Sequence, residues 1–224
     1  KQFAKYCKVH LIDLRNHGRS PHSTDFNYEV MCGDVLEYME DNNIEKPIIL
    51  GHSLGGKVAM KFAFTYPDKI EKLIVADIAP RKYNTDFHKN LLATLYKLPL
   101  EDFSKREEID TLLANTFEDR GMRLFLMKNL YRNEDKEFAW RFNIESLLDT
   151  IENIQEADFI TGNCAIPTHF LRGGNSDYIN STDELIINKH FSDFSIATID
   201  GVGHWLHAEN PERFYDEVMG FCLL

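Results

Sequence analysis

A serine flanked by glycines is the feature of this sequence that could do chemistry. Residues 51–55 read Gly-His-Ser-Leu-Gly, after an apolar run typical of a strand and before residues typical of a helix. Gly51 and Gly55 lack a Cβ, so the chain can turn sharply between strand and helix. This arrangement is the nucleophile elbow of acyl-transfer enzymes. It predicts Ser53 as the nucleophile and the backbone N–H of Leu54 as an oxyanion donor.

A nucleophilic serine needs a histidine base, and the base needs an acid to orient it. His204 lies in a glycine-rich turn after the last predicted strand, and it follows Ser53 in chain order as this architecture requires. Two carboxylates compete for the role of acid: Asp77 and Asp177. Each follows a predicted strand and lies at the same edge of a parallel sheet, so spacing alone leaves both open.

The composition limits the classes of partner. A net charge of −11 over 224 residues argues against nucleic acid and against an anionic membrane surface. No stretch approaches the roughly 20 apolar residues of a membrane span. The four cysteines are widely spaced, which predicts free thiols and a cytoplasmic location. Because the pair His204 and His207 lacks a carboxylate or cysteine at zinc-ligand spacing, we expect no metal and no cofactor.

Alternating strands and helices predict an α/β fold with a mostly parallel sheet. The predicted strands are 9–13, 47–50, 72–77, 166–171 and 194–199. Between residues 81 and 162 the pattern is helical, with no convincing strand, which predicts a helical cap insertion. Four apolar helical faces are predicted in it, at 91–98, 109–113, 126–130 and 144–151. Ser104 and Glu107 are predicted to form a capping box at the start of the second helix. The predicted organisation is a core at 1–80 that contains the serine turn, the insertion at 81–162 and a second part of the core at 163–224 that contains His204.

Five motifs together resemble the α/β-hydrolase superfamily, and within it the small bacterial esterases of the YbfF type and the related mammalian abhydrolase-11 proteins. The resemblance runs nearly from end to end and is weakest in the insertion. The motifs are Asp-Leu-Arg-Asn-His-Gly-Arg-Ser-Pro at 13–21, Gly-His-Ser-Leu-Gly-Gly-Lys at 51–57, Asp-Ile-Ala-Pro at 77–80, Arg-Gly-Gly-Asn-Ser at 172–176 and Gly-His-Trp-Leu-His-Ala-Glu at 203–209.

The resemblance implies roles for particular residues. In this subfamily the acid comes from the earlier strand, which corresponds to Asp77. Ser176 stands where other superfamily members commonly carry Asp, so it is expected to bond to His204 or Asp77. Asp177 remains the alternative acid.

The resemblance also implies a serine carboxylesterase that acts on a small-molecule ester, with a short to medium acyl chain. A thioesterase or another acyl hydrolase is the near alternative. A hydrolase-fold binding protein with vestigial catalysis is the alternative from another class. The oligomeric state is left open.

The superfamily sheet has eight strands, and residues 9–13 correspond to its fourth. The first three strands have no counterpart in this sequence, nor does the loop after the third, which normally supplies a second oxyanion N–H. Central strands without partners would leave buried backbone groups unpaired. We therefore expect the chain to be part of a longer protein, and to be unstable or inactive alone.

Overall fold

The computed structural model describes residues 2–155, 157 and 160–224 as strands alternating with helices. In chain order the elements are α1 (Tyr28–Asp41), β1 (Ile48–His52), α2 (Leu54–Thr65), β2 (Lys72–Ala76), α3 (Asp86–Tyr96), α4 (Arg106–Ala114), α5 (Arg120–Lys128), β3 (Leu130–Arg132), β4 (Phe138–Trp140), α6 (Ile144–Gln155), β5 (Thr168–Gly173), α7 (Asp183–His190), β6 (Phe194–Ile199), α8 (Leu206–Glu209) and α9 (Pro211–Leu223). Within this part of the chain, no helix has both the length and the apolar character that a bilayer crossing requires.

The main sheet has four parallel strands in the order β1-β2-β5-β6. The two central strands, β2 and β5, are largely buried, and Leu73, Ile74 and Val75 of β2 have no exposed surface. Burying such a side chain stabilises the fold by about 1.5–3 kcal/mol. Because all four strands run in one direction, their carboxyl ends meet at one edge, and the loops that follow them share that edge.

The chain forms two units. The core unit comprises the residues up to Ile12, Asn27–Tyr83 and Ile154–Leu224. It contains the parallel sheet, with an apolar cluster on β2, β5 and β6 that α8 and α9 complete through Leu206, Phe214 and Val218.

Helices α1 and α2 also belong to the core unit. The Asn27 side chain caps α1 by accepting the N–H of Val30 at 3.0 Å. Met31 and Cys32 of α1 are buried, and the Cys32 Sγ lies 3.5 Å from the carbonyl oxygen of Val58 in α2.

The helical unit comprises Asp13–Phe26 and Asn84–Asn153. Asn16 joins its two segments, because its buried side-chain amide donates to the carbonyl of Ser23 at 2.9 Å and to the Ser146 hydroxyl at 3.1 Å. The Asn16 carbonyl also accepts the N–H of Asn143 at 2.9 Å. These bonds explain why residues 13–26 belong to this unit, although the predicted boundaries put them in the core. The boundaries 1–80, 81–162 and 163–224 stay a prediction, and residues 1, 156, 158 and 159 within them lie outside the described part.

The predicted strand at 9–13 is wrong, because these residues have no regular secondary structure. Val9 and Ile12 are 44% and 43% exposed, and Leu11 is 91% exposed. Among the described residues no strand pairs with this segment. A strand requires such pairing, which an apolar run by itself does not provide.

The predicted absence of strands from 81–162 is also wrong. Strands β3 and β4 form an antiparallel pair in which Leu130 faces Trp140. The sequence pattern assigned Leu130 to a helical face, whereas α5 ends at Lys128. Strands of three residues are too short to show a period of two, so the helical spacing was misleading.

The capping box at α4 is displaced by one residue. The carboxylate of Glu108, not that of Glu107, accepts the backbone N–H groups of Ser104 and Lys105, each at 3.0 Å. The backbone of Lys105 is extended, so the helix begins one residue later than the Ser104 and Glu107 pair predicts.

The glycine before the serine turn allows a test of local packing. A Cβ on Gly51 would lie 2.1 Å from the backbone oxygen of Gly55, whereas a Cβ on Gly33 in α1 would meet nothing within 4 Å. We expect Gly51→Ala to lower the free energy of unfolding by about 2–4 kcal/mol, because backbone must move. Gly33→Ala should raise it by about 0.5–1 kcal/mol, because alanine favours a helix. Urea denaturation measures both, and equal stability of the two variants would contradict this packing.

Candidate active site

The turn at Ser53 joins β1 directly to α2 with a strained backbone. Ser53 has φ 53° and ψ −120°, a combination that residues with a side chain rarely adopt. Its N–H donates to the carbonyl of Ala76 at 3.1 Å, and its carbonyl accepts the N–H of Lys57 at 3.1 Å. The neighbouring strand and the first turn of the helix therefore hold the strain in place.

Leu54 is the first residue of α2. The first four N–H groups of a helix have no carbonyl acceptor within that helix. The N–H of Leu54 is one of these donors, and it adjoins Ser53 at the positive end of the helix dipole. This is the position from which a backbone donor can stabilise a developing oxyanion.

The Asp77 carboxylate is fully buried at the end of β2 and accepts three hydrogen bonds. Its Oδ1 accepts the N–H of Gly173 at 3.0 Å, and its Oδ2 accepts the Ser176 hydroxyl and His204 Nδ1, the latter at 2.8 Å. A buried carboxylate is stable when such donors replace its water. Asp77 also has a positive φ of 49°, which directs the chain away from the strand axis.

The orientation of His204 follows from its bond to Asp77. A carboxylate only accepts, so Nδ1 carries the proton and Nε2 of the neutral ring can accept one. The Tyr178 ring stacks on the imidazole, with centroids 4.0 Å apart. The His52 ring lies 4.6 Å from it on centroids, and His52 Nε2 donates to the His204 carbonyl at 2.8 Å. Because His52 adjoins Ser53 in sequence, this contact places His204 beside the serine turn.

Asp177 has a different environment from Asp77. It is exposed, and its backbone carbonyl accepts the Arg81 guanidinium at 3.3 Å. In the described residues no contact joins its carboxylate to His204. The structure thus brings together Asp77, Ser176 and His204 and leaves Asp177 outside the group.

His52 is a neutral member of this cluster. Burial, together with the neighbouring imidazoles of His204 and His207, lowers the pKa of His52 to about 3. A neutral ring with its proton on Nε2 fits the bond to the His204 carbonyl. His52 therefore supports the backbone of His204.

Three contacts of this site were missed by the sequence analysis. They come from His52, Tyr178 and the backbone N–H of Gly173. His52 lies inside the glycine-serine motif and Tyr178 only two residues beyond Ser176, so proximity to predicted site residues was the available signal. Over the described residues, no group of three or more histidine, cysteine or acidic side chains is arranged to hold a metal ion.

Comparison with known proteins decides the family. Residues 1–211 match a family model described as the alpha/beta hydrolase fold. The chain belongs to the α/β-hydrolase family. Its parallel sheet with crossover helices confirms the predicted fold class, and the family match confirms the resemblance drawn from the five motifs.

Relatives of this hydrolase include named esterases and lipases. It is 35% identical to the sn-1-specific diacylglycerol lipase ABHD11 of Danio rerio, over 96% of this chain and 69% of that one. It is 31% identical to the esterase YbfF of Escherichia coli, over 90% of this chain and 77% of that one. A solved structure of a marine microorganism esterase is 42% identical and superposes with a TM-score of 0.93, covering 98% of this chain and 87% of that one.

The two candidate acids of the hydrolase can be separated by matched substitutions. We expect Asp77→Asn to lower kcat for p-nitrophenyl butyrate by about 10³- to 10⁴-fold, because an amide favours the wrong tautomer of His204. Asp177→Asn removes the same charge from an exposed position and should leave kcat close to that of the wild type. The reverse pattern would make Asp177 the acid.

The burial of His52 predicts a stability that depends on pH. Between pH 6.5 and about 3 the unfolded chain binds a proton that folded His52 does not, so the free energy of unfolding falls as pH falls through this window. This single group should account for about 2 kcal/mol of loss by pH 5. Urea denaturation at several pH values measures the slope, with each variant referred to its own stability at pH 8. His52→Phe should flatten the slope, and an unchanged slope would show that His52 does not cause it.

Proposed function

We propose that this protein is a serine carboxylesterase that forms an acyl-enzyme on Ser53. The observation that carries the proposal is the hydrogen-bonded series Ser176–Asp77–His204 beside the strained turn of Ser53. The esterases and the lipase among the relatives support ester cleavage as the reaction. A buried acid, an oriented imidazole and a serine at a helix N-terminus are the parts that this chemistry requires.

In the acylation step, Ser53 Oγ attacks the ester carbonyl carbon while its proton moves to His204 Nε2. The π electrons of the carbonyl move to its oxygen, and the N–H of Leu54 donates to this oxyanion. When the tetrahedral intermediate collapses, the bond to the leaving alkoxyl oxygen breaks. His204 gives its proton to that oxygen, and an alcohol departs.

In the deacylation step, water takes the place of the alcohol. His204 Nε2 accepts a proton from the water as its oxygen attacks the acyl carbon. Collapse then releases a carboxylic acid and returns the proton to Ser53 Oγ. Throughout, the Asp77 carboxylate accepts a hydrogen bond from the protonated Nδ1 of His204, and its negative charge stabilises the imidazolium.

Ser176 supports the acid rather than the base in this proposal. Its hydroxyl donates to the same Oδ2 atom of Asp77 that accepts from His204. The N–H of Tyr178 donates to the Ser176 oxygen at 3.3 Å, which orients the hydroxyl towards Asp77. This satisfies a carboxylate that the protein has removed from water.

We further propose a small-molecule ester of short to medium acyl length as the substrate, and a cytoplasmic protein that uses no metal or cofactor. Thioester cleavage follows the same acyl chemistry, but the named relatives favour oxygen esters. The intact set of donors around Asp77 favours an active enzyme over a binding protein with vestigial catalysis.

Covalent labelling tests the nucleophile. A fluorophosphonate should add one adduct to the wild-type protein at full length, seen by intact mass, because only an activated serine displaces fluoride rapidly. Ser53→Ala should abolish both the adduct and the hydrolysis of p-nitrophenyl butyrate. Ser181→Ala, which removes an exposed hydroxyl, should retain both.

Labelling that persists in Ser53→Ala would overturn the assignment of the nucleophile. A wild type that neither labels nor hydrolyses would favour the binding protein. Faster turnover of butyryl-coenzyme A than of the p-nitrophenyl ester would favour the thioesterase.

A further inference from the structure

The imidazole of His204 is covered on one face by an aromatic ring with no role in the mechanism above. The Tyr178 ring lies at 4.0 Å between centroids and is inclined by only 20°. With the two rings stacked in this way, the π face of Tyr178 lies against the imidazole. The negative face of an aromatic ring attracts a cation placed above it.

Tyr178 is itself held by Tyr83, so its ring plane is set by the fold. The two tyrosine rings stack at 5.4 Å with an angle of 28°, and the Tyr83 hydroxyl donates to the Tyr178 carbonyl at 2.5 Å. The same hydroxyl accepts the N–H of Ala79 at 2.7 Å. Ala79 lies two residues after Asp77, so the loop that carries the acid also anchors the stack.

Two cations, Arg81 and Lys57, lie against the outer ring of the stack, Tyr83. The Arg81 guanidinium lies 3.9 Å from the Tyr83 ring centroid, and its Nε is paired at 2.7 Å with the buried carboxylate of Asp183. The Lys57 ammonium lies 5.0 Å from the centroid of the same Tyr83 ring. The face of Tyr178 that meets His204 is thus occupied by the imidazole at 4.0 Å, whereas the measured cation contacts are with Tyr83.

The groups that face His204 come from several elements. Asp77 at the end of β2 bonds to its Nδ1, and Tyr178 from the loop after β5 covers one face. His52 from β1 lies at 4.6 Å, and Trp205 at 5.6 Å contributes an uncharged indole. Burial lowers the pKa of His52 and raises the pKa of the Tyr178 phenol, so both are uncharged in the pH range of an assay.

We propose that Tyr178 is a positioning residue that fixes the plane of His204 and stabilises its imidazolium through the π face of the phenol ring. The proposal rests on the serine esterase mechanism, in which His204 becomes a cation when the Ser53 proton moves to Nε2. That cation forms against the Tyr178 ring. The ring thus favours the transition state over the neutral ground state, which is the requirement for catalysis.

Two substitutions separate the ring from the hydroxyl. Tyr178→Phe retains the π face, so kcat should stay close to that of the wild type. Tyr178→Leu retains an apolar cover over the imidazole but no π face. It should lower kcat for p-nitrophenyl butyrate by about threefold to thirtyfold, with a smaller effect on KM.

The pH profile distinguishes this role from a merely structural one. Without the π face, the imidazolium that the reaction forms is less stable relative to the neutral ring. The pH of half-maximal kcat/KM should therefore fall by about half a unit or more in Tyr178→Leu, and it should be restored in Tyr178→Phe. A loss of packing alone would lower kcat at every pH and leave the midpoint in place.

Tyr38→Leu is the matched control, because Tyr38 is also half-buried and its ring also meets a histidine, His10, at 5.8 Å. It should leave the pH midpoint of kcat/KM unchanged. Circular dichroism should show that Tyr178→Leu is folded, and an unfolded Leu variant is replaced by Tyr178→Met, which also lacks a π face. A folded variant with unchanged kcat and midpoint, or a midpoint that moves equally in the Phe variant, would overturn the proposal.

Fluorophosphonate labelling of the wild type keeps this test separate from the proposed function. If the wild type labels on Ser53 and hydrolyses the ester, while Tyr178→Leu leaves kcat and the pH midpoint unchanged, only the proposed role of Tyr178 is contradicted. A wild type that does not label contradicts the serine esterase and, with it, the imidazolium on which the role of Tyr178 depends.

Discussion

The burial of one carboxylate is the constraint on which the geometry of this site depends. Asp77 has no exposed surface, so protein donors must replace its hydration. Those donors come from Gly173 at the end of β5, from Ser176 in the loop after it and from His204 after β6. To satisfy one side chain, the strand ends of β2, β5 and β6 must keep a fixed register. Hydrogen bonding of the Asp77 carboxylate therefore constrains the ends of three of the four strands.

Two strained residues occupy adjacent strand ends of the same sheet. Ser53 and Asp77 follow paired residues, since His52 of β1 is in register with Ala76 of β2. Both have a positive φ, and both have an N–H bonded to a neighbouring strand: Ser53 to Ala76 and Asp77 to Leu171. Backbone strain persists where surrounding contacts over-determine it. The parallel ladder thus supports the two conformations that the proposed chemistry needs.

The errors of the sequence interpretation have a common cause. The segment at 9–13 has the apolar residues of a strand but no partner among the described residues, and β3 has a partner that its three residues do not reveal. In both cases the presence or absence of a pairing strand decided the structure. By contrast, the helix predicted from the apolar face at 144–151 is present as α6, because its pattern is local in sequence.

The sequence by itself determined the fold class and the candidate residues Ser53, Asp77 and His204, because glycine spacing, strand-helix alternation and chain order are local or sequential properties. It left Asp77 and Asp177 as alternatives on the residues alone. Only the tertiary structure brings His204 Nδ1 to 2.8 Å from Asp77 and leaves Asp177 exposed. It also places His52 and Tyr178 against His204. Such contacts join residues that are far apart in sequence and depend on strand order and register, which no local pattern encodes.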